Sequence, residues 1–223
     1  MDVKCIAFIL DGNRRWAREK GLPTLMGHKA GFDTLEKCVR WVGDRGIPHM
    51  AVYAFSTENW QREKDEVNYL MDLFREFAES KFSEMREGGA AVRFVGKLDS
   101  LPEDIQKMIK DIEKRNLKDA KHTLWVCSSY GSRAEIVAAS NAAAQTGEVI
   151  TEESLRKNFW TSEMPDPDII VRTGGEVRLS NFLLWQAAYS ELFFVKLYWP
   201  DFSEKMLDEI LEEYAGRQRR HGK

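Results

Sequence analysis

Asp11, Gly12, Asn13, Arg14, Arg15 and Trp16 follow directly on an apolar run over residues 3–10. A carboxylate, a glycine and two guanidinium groups at such a point suit the binding of a magnesium ion and of phosphates. Residues of the same kind recur in three other segments. These are Ser56-Thr57-Glu58-Asn59-Trp60 with Arg62 close behind, Ser129-Tyr130-Gly131-Ser132-Arg133, and Arg172-Thr173-Gly174-Gly175-Glu176 with Arg178 and Ser180 beyond it. Arg15, Arg62, Arg172 and Arg178 can each grip phosphate oxygens through two parallel hydrogen bonds, a geometry that lysine lacks. Gly12, Gly174 and Gly175 let backbone N–H groups approach an anion closely. Asp11 and Glu191 are candidate oxygen ligands for Mg²⁺, which favours one or two carboxylates plus substrate phosphates. His28 suits a phosphate contact or a proton transfer, and as a lone histidine equally a structural role. Neither a GxxxxGK[ST] loop nor a GxGxxG fingerprint occurs, which disfavours nucleotide binding.

Each of the four segments ends a stretch that reads as a strand. Residues 3–10, 50–55, 91–95, 123–128, 168–171 and 192–195 are short runs rich in Val, Ile, Leu, Phe and Ala. Between them lie helical patterns. One carries Leu35, Cys38, Val39 and Val42, and a longer one carries Val67, Leu70, Met71, Phe74, Phe77, Ala78, Phe82 and Met85. Ser100 with Glu103 suggests a capping box, and Ser203 an N-cap for the last helix. Strands alternating with helices predict an α/β fold, a parallel sheet of about six strands surrounded by helices. If those strands are parallel, all four polar loops gather on one edge, where open α/β sheets bind ligands. Singly, each arginine fits a solvated ion pair; four on converging loops favour an anion site.

The 223 residues suit a single domain, 1–223. With 31% charged residues and a net charge of −3, no global nucleic-acid footprint is present. Cys5, Cys38 and Cys127 have no CxxC spacing and sit on apolar segments, as reduced buried cysteines do. No signal peptide is recognisable and no apolar run approaches the ~18 residues of a membrane span. A cytoplasmic protein, able to touch a membrane surface peripherally, is expected.

The motifs DGNRRWA, GHKAG, YAFSTENW, RTGGE-x-RLSNFLLWQ, AYSELFF and WPDF, in this order, resemble the cis-prenyltransferase family over essentially the whole chain. The resemblance implies a homodimer that uses Mg²⁺ to condense isopentenyl diphosphate with an allylic diphosphate such as farnesyl diphosphate, adding cis units. It implies that Asp11 handles Mg²⁺ and the leaving diphosphate, while Gly12, Asn13, Arg14, Arg15 and His28 hold the allylic diphosphate in front of Trp16. It further assigns substrate contacts to Ser56, Thr57, Glu58, Trp60 and Arg62, and the proton acceptor to Asn59. Arg172, Arg178, Leu179 and Ser180 match the grip on isopentenyl diphosphate, Glu191 the second metal ligand. Arg220-His221-Gly222 matches a tail that reaches the partner subunit's site. The apolar stripe over 67–85, with Phe55 and Leu124, reads first as core; only the resemblance makes it a tunnel for a growing hydrocarbon.

Several positions depart from the family pattern. Thr24 stands where an arginine is usual, removing one expected diphosphate contact. Glu63 replaces a proline, Ser129 an asparagine and Cys5 a histidine, and Trp125 is bulky for its strand and is expected to pack beneath a helix rather than shorten the tunnel. Thr24 keeps open a relative that makes a short or irregular product or hydrolyses its substrate. A non-catalytic partner subunit is disfavoured by the presence of Asp11, Asn59, Arg172, Arg178 and Glu191.

Overall fold

The computed structural model describes residues 2–147 and 149–217. Its elements run β1 Cys5–Ile9, α1 Asn13–Glu19, α2 Thr24–Asp44, β2 His49–Ser56, α3 Lys64–Glu87, β3 Ala90–Val95, α4 Glu103–Lys114, β4 His122–Tyr130, α5 Ser132–Ala144, α6 Glu152–Lys157, β5 Ile169–Arg172, β6 Glu191–Phe194 and α7 Glu204–Gly216. The strands form one sheet in the order β3-β4-β2-β1-β5-β6, and every neighbouring pair is parallel. All expected strands are present, with ends shifted by two residues at most. The segment 3–10 contracts to Cys5–Ile9 because those five residues carry the pairing to β2 and β5.

A parallel strand needs cover on both faces, and β1 has it, with all five residues buried. Ile6 and Phe8 enter a large core shared with α2, α3 and α7, where Phe8 meets Trp199 and Phe202 at ring separations of 5.8 and 5.6 Å. Ala7 and Ile9 face a second core containing Ala51, Trp125, Cys127, Tyr130 and Phe182. The small side chains Ala7, Ala51 and Cys127 leave that face room for three large aromatic rings. Trp125 therefore packs on the face of the sheet opposite α3, its Nε1 donating to His49 Nδ1 at 3.2 Å.

Much of the apolar stripe of α3 is core, as its bare periodicity implies. Met71, Phe77 and Phe82 are buried, and Phe77 meets Phe32 of α2 at 4.9 Å. Phe55 and Leu124 are packed in the same cluster. Ser203 caps α7, accepting from Met206 N at 3.3 Å. The expected capping box at Ser100 is absent. Pro102 takes the N-cap position of α4, and Ser100 Oγ instead meets Lys97 O at 2.6 Å and Ser129 Oγ at 2.7 Å.

One buried carboxylate fixes the outer layer of the second core. Glu135 of α5 is fully buried and accepts from Tyr130 Oη at 2.6 Å, Thr161 N and Oγ1 at 2.9 and 2.8 Å, and Gln186 Nε2 at 2.9 Å. Four neutral donors converge on it, joining β4, α5 and the segments before β5 and β6. Glu135→Gln turns an amide N–H₂ toward donors and should cost roughly 2–4 kcal/mol. Urea titration should show a lower midpoint with an unchanged slope; an unchanged midpoint would remove Glu135 from this role.

Candidate active site

Because the sheet is parallel throughout, the loops after β1, β2, β4 and β5 share one edge, with β1 between β2 and β5. Gly12 makes the turn from β1 into α1 with φ +104°, and a Cβ there would lie 2.5 Å from Tyr198 Cδ1. Only glycine fits both conditions. Asp11 is thereby held at the sheet edge, its carbonyl accepting from Trp199 N at 3.0 Å and Thr173 Oγ1 at 2.7 Å.

The Asp11 carboxylate sits between two arginines. Arg172 Nη2 donates to Oδ2 at 2.7 Å and Arg15 Nη2 to Oδ1 at 3.2 Å. Partial burial opposes ionisation of Asp11, but the hydrogen bond and charge of Arg172, reinforced by Arg15, outweigh it and hold the carboxyl below the usual range. Arg172 is only 4% exposed. Its Nη1 donates to Arg178 O at 2.5 Å and Ser180 Oγ at 2.7 Å, while Nε has no partner among the described residues. Three of its five N–H donors are engaged and two are left.

A second cluster gathers cations on Glu66, in the first turn of α3. Arg62 Nη1 donates to Oε1 at 2.9 Å, His28 Nε2 lies 3.2 Å from the same oxygen, and Arg14 Nη1 is 3.5 Å from Oε2. Burial lowers the His28 pKa despite the opposing pull of Glu66, so the imidazole is neutral near pH 7 with its Nε2 hydrogen toward the carboxylate. His28 is placed there by two glycines. A Cβ on Gly27 would lie 2.0 Å from Asn13 O, and one on Gly31 2.6 Å from Asn13 Oδ1. The spacing of GHKAG thus lets α2 touch the start of α1 directly.

The two clusters border one cavity of about 770 Å³. Its lining includes the polar residues Asp11, Asn13, Arg14, Arg15, Arg18, His28, Ser56, Glu58, Asn59, Arg62, Arg172 and Ser180 and the apolar residues Leu10, Phe32, Leu35, Leu70 and Trp199. Such a space can bind a molecule with an anionic head and a hydrocarbon body.

The family profile described as "Putative undecaprenyl diphosphate synthase" matches residues 9–222. The isoprenyl transferase of Fusobacterium nucleatum is 44% identical over 220 residues, covering 98% of this chain and 95% of that protein. The farnesyl-diphosphate-specific ditrans,polycis-undecaprenyl-diphosphate synthase of Micrococcus luteus is 41% identical, covering 98% and 91%. Among solved structures, lavandulyl diphosphate synthase from Lavandula x intermedia, in complex with dimethylallyl diphosphate, superposes with a TM-score of 0.95 at 30% identity, covering 99% and 98%. The chain belongs to the isoprenyl transferase family.

Not every residue that the family resemblance singles out borders the cavity. Trp16 turns away, donating from Nε1 to Asp201 Oδ1 at 2.7 Å. Trp60 donates to Ser129 Oγ at 2.9 Å and packs on Phe55. Thr57 stands over Gly131, and Leu179 packs against the second core. Arg178 is 59% exposed and paired with Glu176 Oε2 at 2.5 Å. Asn59 uses Oδ1 to accept from Ser56 N at 2.9 Å, closing the turn after β2. Thr24 opens α2 and does not border the cavity, whereas Arg18 does. Residues 220–222 lie outside the described residues.

Glu191 is the largest departure from the expected constellation. It begins β6, in register with Ile169 and through it with Ile6. Asp11 lies five residues beyond Ile6, roughly 16 Å along the strand. The Glu191 carboxylate pairs with Arg217 Nη1 at 2.7 Å instead. One chain does not bring Asp11 and Glu191 together, because parallel pairing sets the start of β6 at the opposite edge.

Arg18, Glu66 and Asn181 escaped the sequence reading. Glu66 carried a usable signal, four places after Arg62 within a helical pattern. Asn181 lay within the RLSNFLLWQ motif but drew no assignment there. It accepts a left-handed φ of 66° and donates from Nδ2 to Glu58 Oε1 at 2.9 Å, while its Oδ1 accepts from Arg133 N at 2.9 Å. Partial burial opposes ionisation of Glu58, but hydrogen bonds from Asn181, the Glu58 backbone, Ser56 and Thr57 together outweigh it and hold the carboxyl below the usual range. Ser129 also adopts a positive φ, 47°, a conformation that asparagine favours and that Trp60 and Ser100 hold in place here.

Gly27→Ala forces α2 away from Asn13 and should lower stability by about 1–3 kcal/mol. It should also impair activity by more than the melting point explains, since His28 and Glu66 separate. A variant with wild-type melting and kinetics would show that the helices can part freely.

Proposed function

We propose that this chain elongates prenyl diphosphates, condensing isopentenyl diphosphate with an allylic diphosphate, farnesyl diphosphate first, to give a cis-polyprenyl diphosphate such as undecaprenyl diphosphate. One observation carries the reading: the Asp11 carboxylate, clamped by Arg15 and Arg172, borders a cavity lined by further arginines and by apolar side chains. The names of the relatives support the substrates.

Ionising the allylic C–O bond builds charge on the departing diphosphate. Arg14, Arg15, Arg62 and the turn at Gly12–Asn13 are preorganised to receive it. Arg172 and Ser180, which border the cavity, hold the isopentenyl diphosphate so that its double bond meets the allylic carbon. A new C–C bond forms as diphosphate leaves, and a proton is then lost from the isopentenyl unit. Asn59 receives that proton in this reading; as an amide is a weak base, the departed diphosphate is its final sink. The apolar wall of Leu10, Phe32, Leu35 and Leu70 excludes water from the cation.

The donors fit Mg²⁺ in its usual manner. No group of three or more His, Cys, Asp or Glu side chains gathers among the described residues. Asp11 remains, with a free lone pair on each oxygen, to share a cation with substrate phosphates. Mg²⁺ would neutralise charge developing on the leaving diphosphate. A metal role for Glu191 calls for the Asp11 of a second copy.

A homodimer fits the surface. Val137 of α5 is 60% exposed, Tyr189 77% and Leu184 39%, and Leu184 N is tied to Ser132 Oγ at 3.0 Å. Such exposed apolar side chains are available to an interface between copies. The three buried free thiols support a reducing, cytoplasmic setting, and no helix among the described residues is long and apolar enough to cross a membrane. Peripheral membrane contact suits so apolar a product.

A second reading, a short prenyl product, is favoured by the likeness to lavandulyl diphosphate synthase and by Thr24. Incubation with farnesyl diphosphate, labelled isopentenyl diphosphate and Mg²⁺ separates the two by product length. Long products are expected; a single addition would select the second reading, and no incorporation with any allylic primer would sink both. Asp11→Ala should reduce turnover by more than about a hundredfold in a folded protein; near-wild-type turnover would take Asp11 out of the mechanism. Val137→Glu should shift sedimentation from dimer toward monomer, and an unshifted dimer would place the interface elsewhere.

A further inference from the structure

The cations around the cavity are neutralised unevenly. Asp11 engages Arg15 and Arg172, Glu176 engages Arg15 at 3.5 Å and Arg178, and Glu66 engages Arg14 and Arg62. Arg18 borders the same cavity and is exposed, yet among the described residues its guanidinium has neither an ion pair nor a hydrogen bond. It stands one helical turn after Arg14, so the two share a face of α1. Arg14 is committed to a buried carboxylate; Arg18 has none to give up.

The difference bears on binding. An anion that reaches Arg14, Arg15 or Arg62 competes with a protein carboxylate for the guanidinium. At Arg18 it gains two charge-assisted hydrogen bonds with no ion pair to break. The chain carries a net charge of −3, so a diphosphate approaching it is repelled overall and depends on the local field at the cavity rim.

We propose that Arg18 is a binding residue for the allylic diphosphate, the first guanidinium to engage it at the rim. This rests on the prenyl-transfer reading and adds to it the residue that captures the substrate. Arg18 acts on association and leaves the bond-breaking step to the arginines deeper in the cavity. Its contribution is exposed and therefore salt-sensitive.

Steady-state kinetics with varied farnesyl diphosphate, at low and high salt, tests the assignment on wild type, Arg18→Ala, Arg18→Lys and Lys37→Ala. Lys37 is an exposed cation of α2 away from the cavity and controls for net charge. Arg18→Ala should raise KM for farnesyl diphosphate about ten- to thirtyfold, the size of one charge-assisted contact, with kcat held within about twofold. The salt dependence of kcat/KM should become shallower, Arg18→Lys should recover part of the loss, and Lys37→Ala should match wild type. Calorimetry with inorganic pyrophosphate should show the same weakening without turnover. An Arg18→Ala enzyme with an unchanged KM and pyrophosphate affinity, or with a loss confined to kcat, overturns the assignment while leaving prenyl transfer intact. A wild-type enzyme that uses no allylic diphosphate overturns both.

Discussion

The Asp11 carboxylate between Arg172 and Arg15 joins three elements that the chain delivers from far apart. Asp11 comes from the end of β1, Arg15 from α1 and Arg172 from the end of β5. Arg172 is almost fully buried, and a guanidinium in that position needs a counter-charge and acceptors at hand. Asp11, Arg178 O and Ser180 Oγ supply them, so the loop after β5 is shaped around the same cation that faces the cavity. Removing Asp11 therefore unsettles two loops as well as the chemistry.

The same economy recurs at Glu66. A site meant for polyanions must keep several positive groups together while no anion is bound, and their mutual repulsion has to be met from within. Glu66 meets it for Arg14 and Arg62, and holds neutral His28 in line with them. Asp11 and Glu176 do so on the other side. The apolar side chains lining the cavity make these pairs stronger than they would be in open solvent.

Much of this was legible in the sequence, for identifiable reasons. Apolar runs of strand length, each ending in a polar loop, could be covered on both faces only by an alternating α/β arrangement, and the convergence of the loops at Asp11, Ser56, Ser129 and Arg172 followed from parallel pairing. What could not be read were side-chain directions off the ends of strands. Trp16 and Trp60 belong to the right loops yet spend their indoles on Asp201 and Ser129. Glu191 lies on the right sheet but at the wrong edge, which motif order does not reveal. Ser100 had the spacing of a cap, and Pro102 pre-empted it.

The contact of Gly27 with the Asn13 carbonyl is backbone against backbone, and such a junction has no soft side chain to yield. On its other flank α2 meets α3 through Phe32 and Phe77 and through Lys29 and Glu76, all of which can change rotamer. The headgroup end of the cavity is in effect a fixed jaw, and the seam between α2 and α3 the adjustable one. Broadening the range of hydrocarbon bodies this enzyme accepts is then a matter of re-cutting the α3 side. The α1–α2 hairpin can be left untouched as a common mount for any diphosphate.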